Sequence, residues 1–157
     1  MSGSKPTILI TGAYPAWDME ALEQEYNVLR LFEAADADAF IASHAQDIRA
    51  IATRGDLGAS AALMGKLPKL EIVSVFGVGT DAVDLGFART NNIKVTNTPD
   101  VLTDDVADLG VALLLATARQ VPHGDRLVRS GTWPQGGLPL VTKVSGKKVG
   151  IVGMGRI

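Results

Sequence analysis

Two glycine turns that follow apolar runs have the clearest potential for chemistry in this sequence. The later turn comes directly after the run 149–152 and reads Gly153-Met154-Gly155-Arg156-Ile157. A buried strand that enters such a turn is typical of the start of a dinucleotide-binding unit. There the first glycine permits the tight turn, and the second lets the backbone approach a pyrophosphate. A plain turn after a core strand has the same pattern, so the motif alone leaves both interpretations open.

The earlier turn places Gly77 and Gly79 on either side of Val78, after the apolar run 70–76. Successive backbone N–H groups at the carboxyl edge of a sheet can form a concave site for an anion. A carboxylate or a phosphate would suit such a site. The alternative is a tight turn from a strand into a loop, with no ligand.

Single residues offer further candidates, each with a simpler structural alternative. Arg54 follows another β-rich run and could hold an anionic ligand, because a guanidinium grips a carboxylate with two donors; otherwise it is a solvated surface residue. Thr103 could contact a cofactor or act only as a helix N-cap. Trp133 lies in a Gly/Pro-rich loop, where an exposed aromatic side chain often contacts a partner or a ligand; the alternative is that it folds back on its own domain. His44 and His123 are not at metal-ligand spacing, and we predict no metal site.

The elements that must position these residues alternate between strands and helices. Apolar, β-branched runs predict six strands, at 7–11, 27–32, 48–53, 70–76, 93–96 and 149–152. Helical spacing predicts helices at 19–26, 36–45, 59–66, 84–91 and 104–119, with a shorter one ending at 129. This alternation is typical of an α/β protein with a doubly wound parallel sheet, in which ligands bind beyond the carboxyl ends of the strands.

The predicted helices also have expected ends and an expected environment. We expect Asp18, Asp84 and Thr103 to act as N-caps, since short polar side chains accept hydrogen bonds from free N–H groups there. The helix 104–119 carries apolar residues on nearly all sides, which predicts that it is buried. The segment 130–146 is predicted to be mostly loop. The change of pattern after Pro99 divides the chain into predicted domains 1–99 and 100–157.

Charge and composition exclude several classes of protein. The formal net charge of −2 gives no electrostatic footprint for nucleic acid or for an acidic membrane surface. The chain has no cysteine, which excludes disulfides and thiolate metal sites. The first apolar run is too short for a signal peptide or a membrane span. We therefore expect a cytoplasmic protein with no nucleic-acid or membrane partner.

Several stretches together resemble one protein family. They are 74–81, the run 97–108 (Asn-Thr-Pro-Asp-Val-Leu-Thr-Asp-Asp-Val-Ala-Asp), Gly131-Thr132-Trp133, and 146–157. In this order they resemble the D-isomer-specific 2-hydroxyacid dehydrogenases, most closely the glyoxylate/hydroxypyruvate and hydroxyphenylpyruvate reductase branch. The resemblance runs from about Thr7 to the last residue. It implies a flavodoxin-like substrate domain followed by the start of a Rossmann cofactor domain.

On the substrate side, the resemblance implies roles for four of the candidates. Val78 and Gly79 would present N–H groups to the substrate carboxylate, and Arg54 would lie near the same cleft. Trp133 resembles a loop aromatic that, in this branch, reaches toward the active site of the neighbouring subunit. A homodimer is therefore implied for the full-length protein.

On the cofactor side, the resemblance assigns Thr103 to the nicotinamide end. The pyrophosphate site would begin with Gly153, Gly155, Arg156 and Ile157. The cofactor would be NAD or NADP, and this branch favours NADP.

The implied activity is the reduction of glyoxylate, hydroxypyruvate or a related small 2-keto acid to the D-2-hydroxy acid. In this family the catalytic Arg, Glu and His all lie C-terminal to the glycine motif, so this chain is expected to contain no catalytic residue. We expect it to be part of a longer dehydrogenase and to be inactive by itself.

Two other functions were compared with this one. A dinucleotide-sensing corepressor of the same fold would keep the family and lack the chemistry, and it stays open as the alternative. A receiver-type signalling module would need clustered acidic residues at the strand ends. The strand ends here read Thr11-Gly12-Ala13 and Thr53-Arg54-Gly55, which excludes it.

Overall fold

Five parallel strands form a sheet in the order β2-β1-β3-β4-β5, in a computed structural model that describes residues 5–157. The strands are β1 (Thr7–Ile10), β2 (Asn27–Arg30), β3 (Ile48–Arg54), β4 (Ile72–Phe76) and β5 (Lys94–Thr96). The first five predicted strands are therefore confirmed. A strand order of 2-1-3-4-5 is that of the flavodoxin-like sheets, so the predicted fold class is confirmed as well.

Helices cover both faces of this sheet. They are α1 (Ala16–Glu25), α2 (Ala37–His44), α3 (Ala61–Met64) and α4 (Leu85–Thr90). On one face, Leu9, Ile51 and Val73 pack with side chains from α2, α3 and α4 in the larger core. On the other face, Ile8 and Ile10 pack against α1. Because successive side chains of a strand point to opposite faces, the central strand β1 supplies both cores.

Two of the three predicted helix caps are wrong. Asp84 does cap α4, since its side chain accepts a hydrogen bond from the N–H of Phe87 at 2.8 Å. Asp18 lies inside the first turn of α1, because that helix already begins at Ala16 after Pro15. Thr103 is the first residue of its helix and makes no capping bond. In both cases the helix starts earlier than the capping pattern indicated.

The chain divides into two compact units, one ending at Pro99 and the other beginning at Asp100. The second unit contains α5 (Thr103–Ala118), α6 (Val121–Arg129) and a 3₁₀ turn (Trp133–Gln135). The prediction that α5 is buried is wrong for the described chain, because none of its residues is buried. An all-round apolar helix needs neighbours on every side, and within the second unit α5 packs mainly against α6.

The predicted strand 149–152 is also wrong. This segment has no regular structure, and its apolar side chains, such as Val149 and Ile151, are exposed. A strand exists only with a hydrogen-bonded neighbour, and none of the five strands found in residues 5–157 pairs with this segment.

Candidate functional site

The carboxyl ends of the parallel strands meet at one edge of the sheet, where two loops lie side by side. The glycine loop, residues 77–81, follows β4, and the arginine loop, residues 54–58, follows β3. β3 and β4 are neighbours, with Arg54 paired to Phe76 in the last register position. The structure therefore brings Arg54 and the glycine loop together at one edge of the sheet.

The glycine loop turns its carbonyl groups to the segment after β5. The side chain of Asn97 donates to the carbonyl of Val78 at 2.8 Å, and the N–H of Thr98 donates to the carbonyl of Gly77 at 2.9 Å. Gly77 has φ +147°, a conformation that side chains rarely adopt. Within residues 5–157, no acceptor takes the N–H of Val78 or of Gly79. These two donors are available to a ligand.

Arg54 is engaged by a carboxylate from its own loop. Its Nε and Nη2 donate to the two carboxylate oxygens of Asp56 at 3.0 and 2.7 Å. This contact raises the pKa of Arg54 and holds the pKa of the Asp56 carboxyl below its usual value. Both side chains are well exposed, and an exposed ion pair contributes little to stability. An incoming anion can therefore exchange with Asp56.

The backbones of the two loops come close enough to need glycine. A Cβ atom on Gly55 would lie 3.2 Å from the carbonyl oxygen of Gly79. A Cβ on Gly58 would lie 1.9 Å from the carbonyl oxygen of Ala82, and Gly58 also has φ +62°. Next to it, the N–H of Ala59 donates to that same Ala82 oxygen at 3.1 Å. The arginine loop thus supports the glycine loop at both of its ends.

A buried hydroxyl network lies beneath the arginine loop. Thr53, which is completely buried, donates from Oγ1 to the carbonyl of Gly58 at 2.8 Å and accepts from Oγ1 of Thr11 at 2.7 Å. The Tyr14 hydroxyl donates to the carbonyl of Thr53 at 2.8 Å, and its ring packs 5.3 Å from that of Phe76. Burial, assisted by the negative charge of Asp18, raises the pKa of Tyr14 to about 12.

Two further predicted site residues belong to the second unit. Thr103 is half-buried at the start of α5. Trp133 opens the 3₁₀ turn and is 60% exposed, so it does not fold back into its own unit. The exposed ring leaves the partner or ligand contact as the open interpretation.

The residues of the terminal glycine turn are also in the second unit. Gly153 has φ +87°, and no atom lies within 4 Å of a Cβ built on Gly153 or on Gly155. Arg156 forms an ion pair with Asp100, which raises the pKa of Arg156, and Ile157 is exposed. The segment 149–157 is exposed throughout, so the backbone of this turn is open on the described chain.

Comparison with known proteins assigns the chain to a family. The family model for the catalytic domain of the D-isomer specific 2-hydroxyacid dehydrogenases matches residues 8–150. The chain belongs to this family. That confirms the resemblance inferred from the runs 74–81 and 97–108.

Similar members of the family include two plant reductases. The chain is 50% identical over 136 residues to glyoxylate/hydroxypyruvate reductase A of Arabidopsis thaliana, covering 87% of the chain and 44% of that protein. It is 47% identical over 138 residues to hydroxyphenylpyruvate reductase of Plectranthus scutellarioides, covering 88% and 44%. The chain therefore spans less than half the length of these curated relatives.

Solved structures of related dehydrogenases have the same fold. A 2-hydroxyacid dehydrogenase from Ketogulonicigenium vulgare Y25 is 54% identical, with a TM-score of 0.88 over 98% of the chain and 49% of that protein. The NADPH-dependent glyoxylate/hydroxypyruvate reductase of Sinorhizobium meliloti, solved with NADP and malonate, is 40% identical. Its TM-score is 0.85 over 98% of the chain and 47% of that protein.

Sequence reasoning missed several residues that shape this site. Asp56, Asn97 and the pair Thr53–Tyr14 were read only as parts of loops or strand ends. Asn97 could have been found from the sequence. It directly follows the predicted strand 93–96, and Gly77 directly follows the preceding predicted strand, 70–76. The contacts of Gly58 leave no signal in a single sequence.

Residues 5–157 contain neither a cluster of metal ligands nor a helix that could span a membrane. No group of three or more His, Asp or Glu side chains among them is arranged to hold a metal ion. None of the helices in this part of the chain has the length and apolar character needed to cross a bilayer.

Proposed function

We propose that these residues form the carboxylate-binding half of an enzyme that reduces a small 2-keto acid to the D-2-hydroxy acid. The observation that carries the proposal is the pair of free N–H groups at Val78 and Gly79, at the carboxyl edge of a parallel sheet. Successive backbone N–H groups can form a concave anion site, which suits the oxygens of a carboxylate. Relatives named as reductases of glyoxylate, hydroxypyruvate and hydroxyphenylpyruvate support this class of substrate.

Each group at this edge has a definite task in the proposed reaction. Val78 and Gly79 hold the carboxylate, which fixes the neighbouring keto carbon in one orientation. Arg54 adds positive charge beside the same loop, because it ends the adjacent strand. The developing alkoxide also needs a proton donor. In the family this donor is the His beyond the glycine motif, so the 157 residues alone are expected to bind without turnover.

The cofactor we propose is NADPH or NADH, bound in the second unit. A bound nicotinamide supplies the hydride. Gly153, Gly155, Arg156 and Ile157 would hold its pyrophosphate, and Thr103 would lie at the nicotinamide end. The family match and the NADP in the Sinorhizobium meliloti relative support this. The Asp100 carboxylate on Arg156 would be exchanged for the phosphate charge.

The organisation of the full-length protein is part of the same proposal. The unit up to Pro99 is the substrate domain, and the Rossmann cofactor domain begins after Asp100. Trp133, exposed on its turn, reaches the active site of a second subunit in a cytoplasmic homodimer. Its exposure and the family resemblance support this role.

The test is turnover of the full-length protein with NADPH and NADH, using glyoxylate and hydroxypyruvate. We also propose Gly79→Leu, whose side chain would occupy the carboxylate position. A matched control is Ala42→Leu, which adds the same side chain to an exposed position of α2. We expect Gly79→Leu to raise KM for the keto acid strongly and Ala42→Leu to leave it unchanged.

Two results would contradict the proposal. An unchanged KM in Gly79→Leu would remove the glycine loop from substrate binding. Cofactor binding with no turnover on any 2-keto acid would instead favour the non-catalytic, dinucleotide-sensing alternative.

A further inference from the structure

We propose that Thr53 is a positioning residue for carboxylate binding, because its hydroxyl holds the arginine loop in the shape that supports the glycine loop. This inference rests on the proposed function. Thr53 itself does not contact the substrate position, since it is completely buried at the end of β3. It acts through the backbone of the loop that follows it.

The hydrogen bonds around Thr53 run in one direction. Thr11 donates to the Thr53 hydroxyl, and that hydroxyl donates in turn to the carbonyl of Gly58. The N–H of Gly58 donates to the carbonyl of Arg54 at 2.9 Å. The N–H of Leu57 donates to the same Arg54 carbonyl at 3.1 Å, so two backbone bonds and one side-chain bond from Thr53 close the loop 54–58. Thr53 supplies the bond to the Gly58 carbonyl, and without its hydroxyl only backbone bonds hold this end of the loop.

The Gly58 end of the arginine loop contacts the segment directly after the glycine loop. Gly58 packs directly on the backbone of Ala82, and the N–H of Val83 donates back to the carbonyl of Thr80 at 2.9 Å. A displacement of Gly58 therefore moves the segment that follows Thr80. At the other end, Gly55 lies against Gly79, whose N–H is one of the two free donors. The Thr53 hydroxyl thus fixes the end of the arginine loop that packs on the segment directly after the glycine loop.

Each polar group of Thr53 has a close partner. Its hydroxyl accepts from Thr11 and donates to the carbonyl of Gly58 at 2.8 Å, with the carbonyl of Arg54 farther away at 3.4 Å. The Tyr14 hydroxyl donates to the carbonyl of Thr53. Among the described residues, no buried side-chain nitrogen or oxygen lacks a partner. Replacing the hydroxyl by a methyl group leaves the buried Gly58 carbonyl without its partner, so the loop must shift to find a new one.

The experiment compares Thr53→Val, which has the same shape without the hydroxyl, with Thr53→Ser, which keeps the hydroxyl. Both are made in the full-length enzyme, and KM is measured separately for the keto acid and for the cofactor. We expect Thr53→Val to raise KM for hydroxypyruvate about tenfold, as expected for one lost buried hydrogen bond, with kcat and the cofactor KM little changed. Thr53→Ser should restore the wild-type KM.

A purely structural role predicts a different pattern. It would lower the amount of folded enzyme, and so the apparent kcat, without a selective change in KM for the keto acid. That result would overturn the proposal, as would an unchanged KM. If Thr53→Val does not fold, Thr11→Val removes only the upstream donor, and it should raise the same KM by a smaller factor. An unchanged KM in a folded Thr11→Val variant would then count against the network.

The proposal can fail independently of the proposed function. If the wild-type enzyme does not reduce any 2-keto acid, the proposed function is wrong. Amide hydrogen exchange of residues 77–81 then decides the positioning role. Faster exchange at Val78 and Gly79 in Thr53→Val, but not in Thr53→Ser, supports it, and equal exchange in the three proteins contradicts it.

Discussion

Individual residues at the carboxyl edge are constrained in different ways by their neighbours. Gly58 is constrained by a backbone, Asp56 by a guanidinium and Tyr14 by burial. These constraints have different physical origins, so they predict different measurable effects. We expect a substitution of Gly58 to change stability and a substitution of Asp56 to change the preference among substrates. A substitution of Tyr14 should change how stability depends on pH.

Gly58→Ala should destabilise the protein severely. The new Cβ would lie 1.9 Å from the Ala82 carbonyl oxygen, and φ of +62° is unfavourable for alanine. Overpacking and left-handed strain together predict a loss of about 2–5 kcal/mol in the free energy of unfolding. Urea denaturation measures it. Gly110→Ala is the control, because it lies in α5 of the second unit with open space around it and should leave the urea transition of the first unit unchanged. A Gly58→Ala variant as stable as wild type would contradict the close approach of the two backbones.

Asp56→Asn should widen the range of substrates. Removing the carboxylate frees Arg54 to bind a second anionic group, so the ratio of kcat/KM for oxaloacetate to that for glyoxylate should rise. We expect an increase of about three- to tenfold, as for a partly exposed charge pair. Steady-state kinetics of the full-length enzyme measures it. Glu71→Gln is the control, since it breaks the similar Arg49–Glu71 pair at the opposite ends of the strands. An unchanged ratio would show that Arg54 does not face the substrate.

Tyr14 should make the protein less stable at alkaline pH. Its pKa is raised from 10.0 to about 12, so the folded state favours the neutral phenol. This contribution is complete below pH 10 and is lost as the pH rises through 12. The free energy of unfolding, measured over that window, should fall more steeply in wild type than in Tyr14→Phe. Equal slopes would mean that the phenol titrates alike in both states.

At the scale of elements, the spacing of apolar residues predicted the sheet and its helices. Whether the other predicted elements formed depended on whether they had a neighbour to pack or pair with. The runs around Ile51 and Val73 predicted strands because they are apolar and rich in β-branched residues, which pack well in a buried sheet. The segment 149–152 has a similar pattern and forms no strand, since a strand also needs a neighbour. The contact of Gly58 with Ala82 and the network of Thr53 join positions far apart in sequence. One sequence carries no signal for them.

The helix caps give a prediction that separates pattern from structure. Asp36→Ala should destabilise by about 1 kcal/mol, because Asp36 accepts from the N–H groups of Asp38 and Ala39, each at 3.0 Å. Asp18→Ala should cost clearly less, since Asp18 lies within α1 and caps nothing. Thermal or urea denaturation of the two variants compares them directly. Equal losses would contradict the helix start at Ala16.

At the scale of the whole molecule, the two units differ in what they bury. The unit ending at Pro99 contains both hydrophobic cores, whereas no residue from 100 to 157 is buried. Burial of apolar surface is the main favourable term in folding, so the two units should differ in stability. The exposed apolar side chains of α5, among them Leu109 and Leu113, fit this difference.

We therefore predict that a protein of residues 1–99 unfolds cooperatively in urea, with a midpoint close to that of the 157-residue chain. A peptide of residues 100–157 should show only a gradual loss of helix by circular dichroism, because it lacks a core. A non-cooperative transition for 1–99 would show that its cores do not suffice. A sharp transition for 100–157 would show that α5 and α6 stabilise each other more than their exposure indicates.

The close approach of Gly58 to Ala82 also has a mechanical consequence. Two backbones in such contact cannot slide past each other, so we expect the arginine and glycine loops to move as one rigid group at the edge of the sheet. If the enzyme closes around a bound keto acid, the two loops would move together, and neither would move independently. Spin labels on Ser60 and Asp81, both exposed, should then keep a constant separation when substrate binds. A changed separation would mean that the two loops move relative to each other.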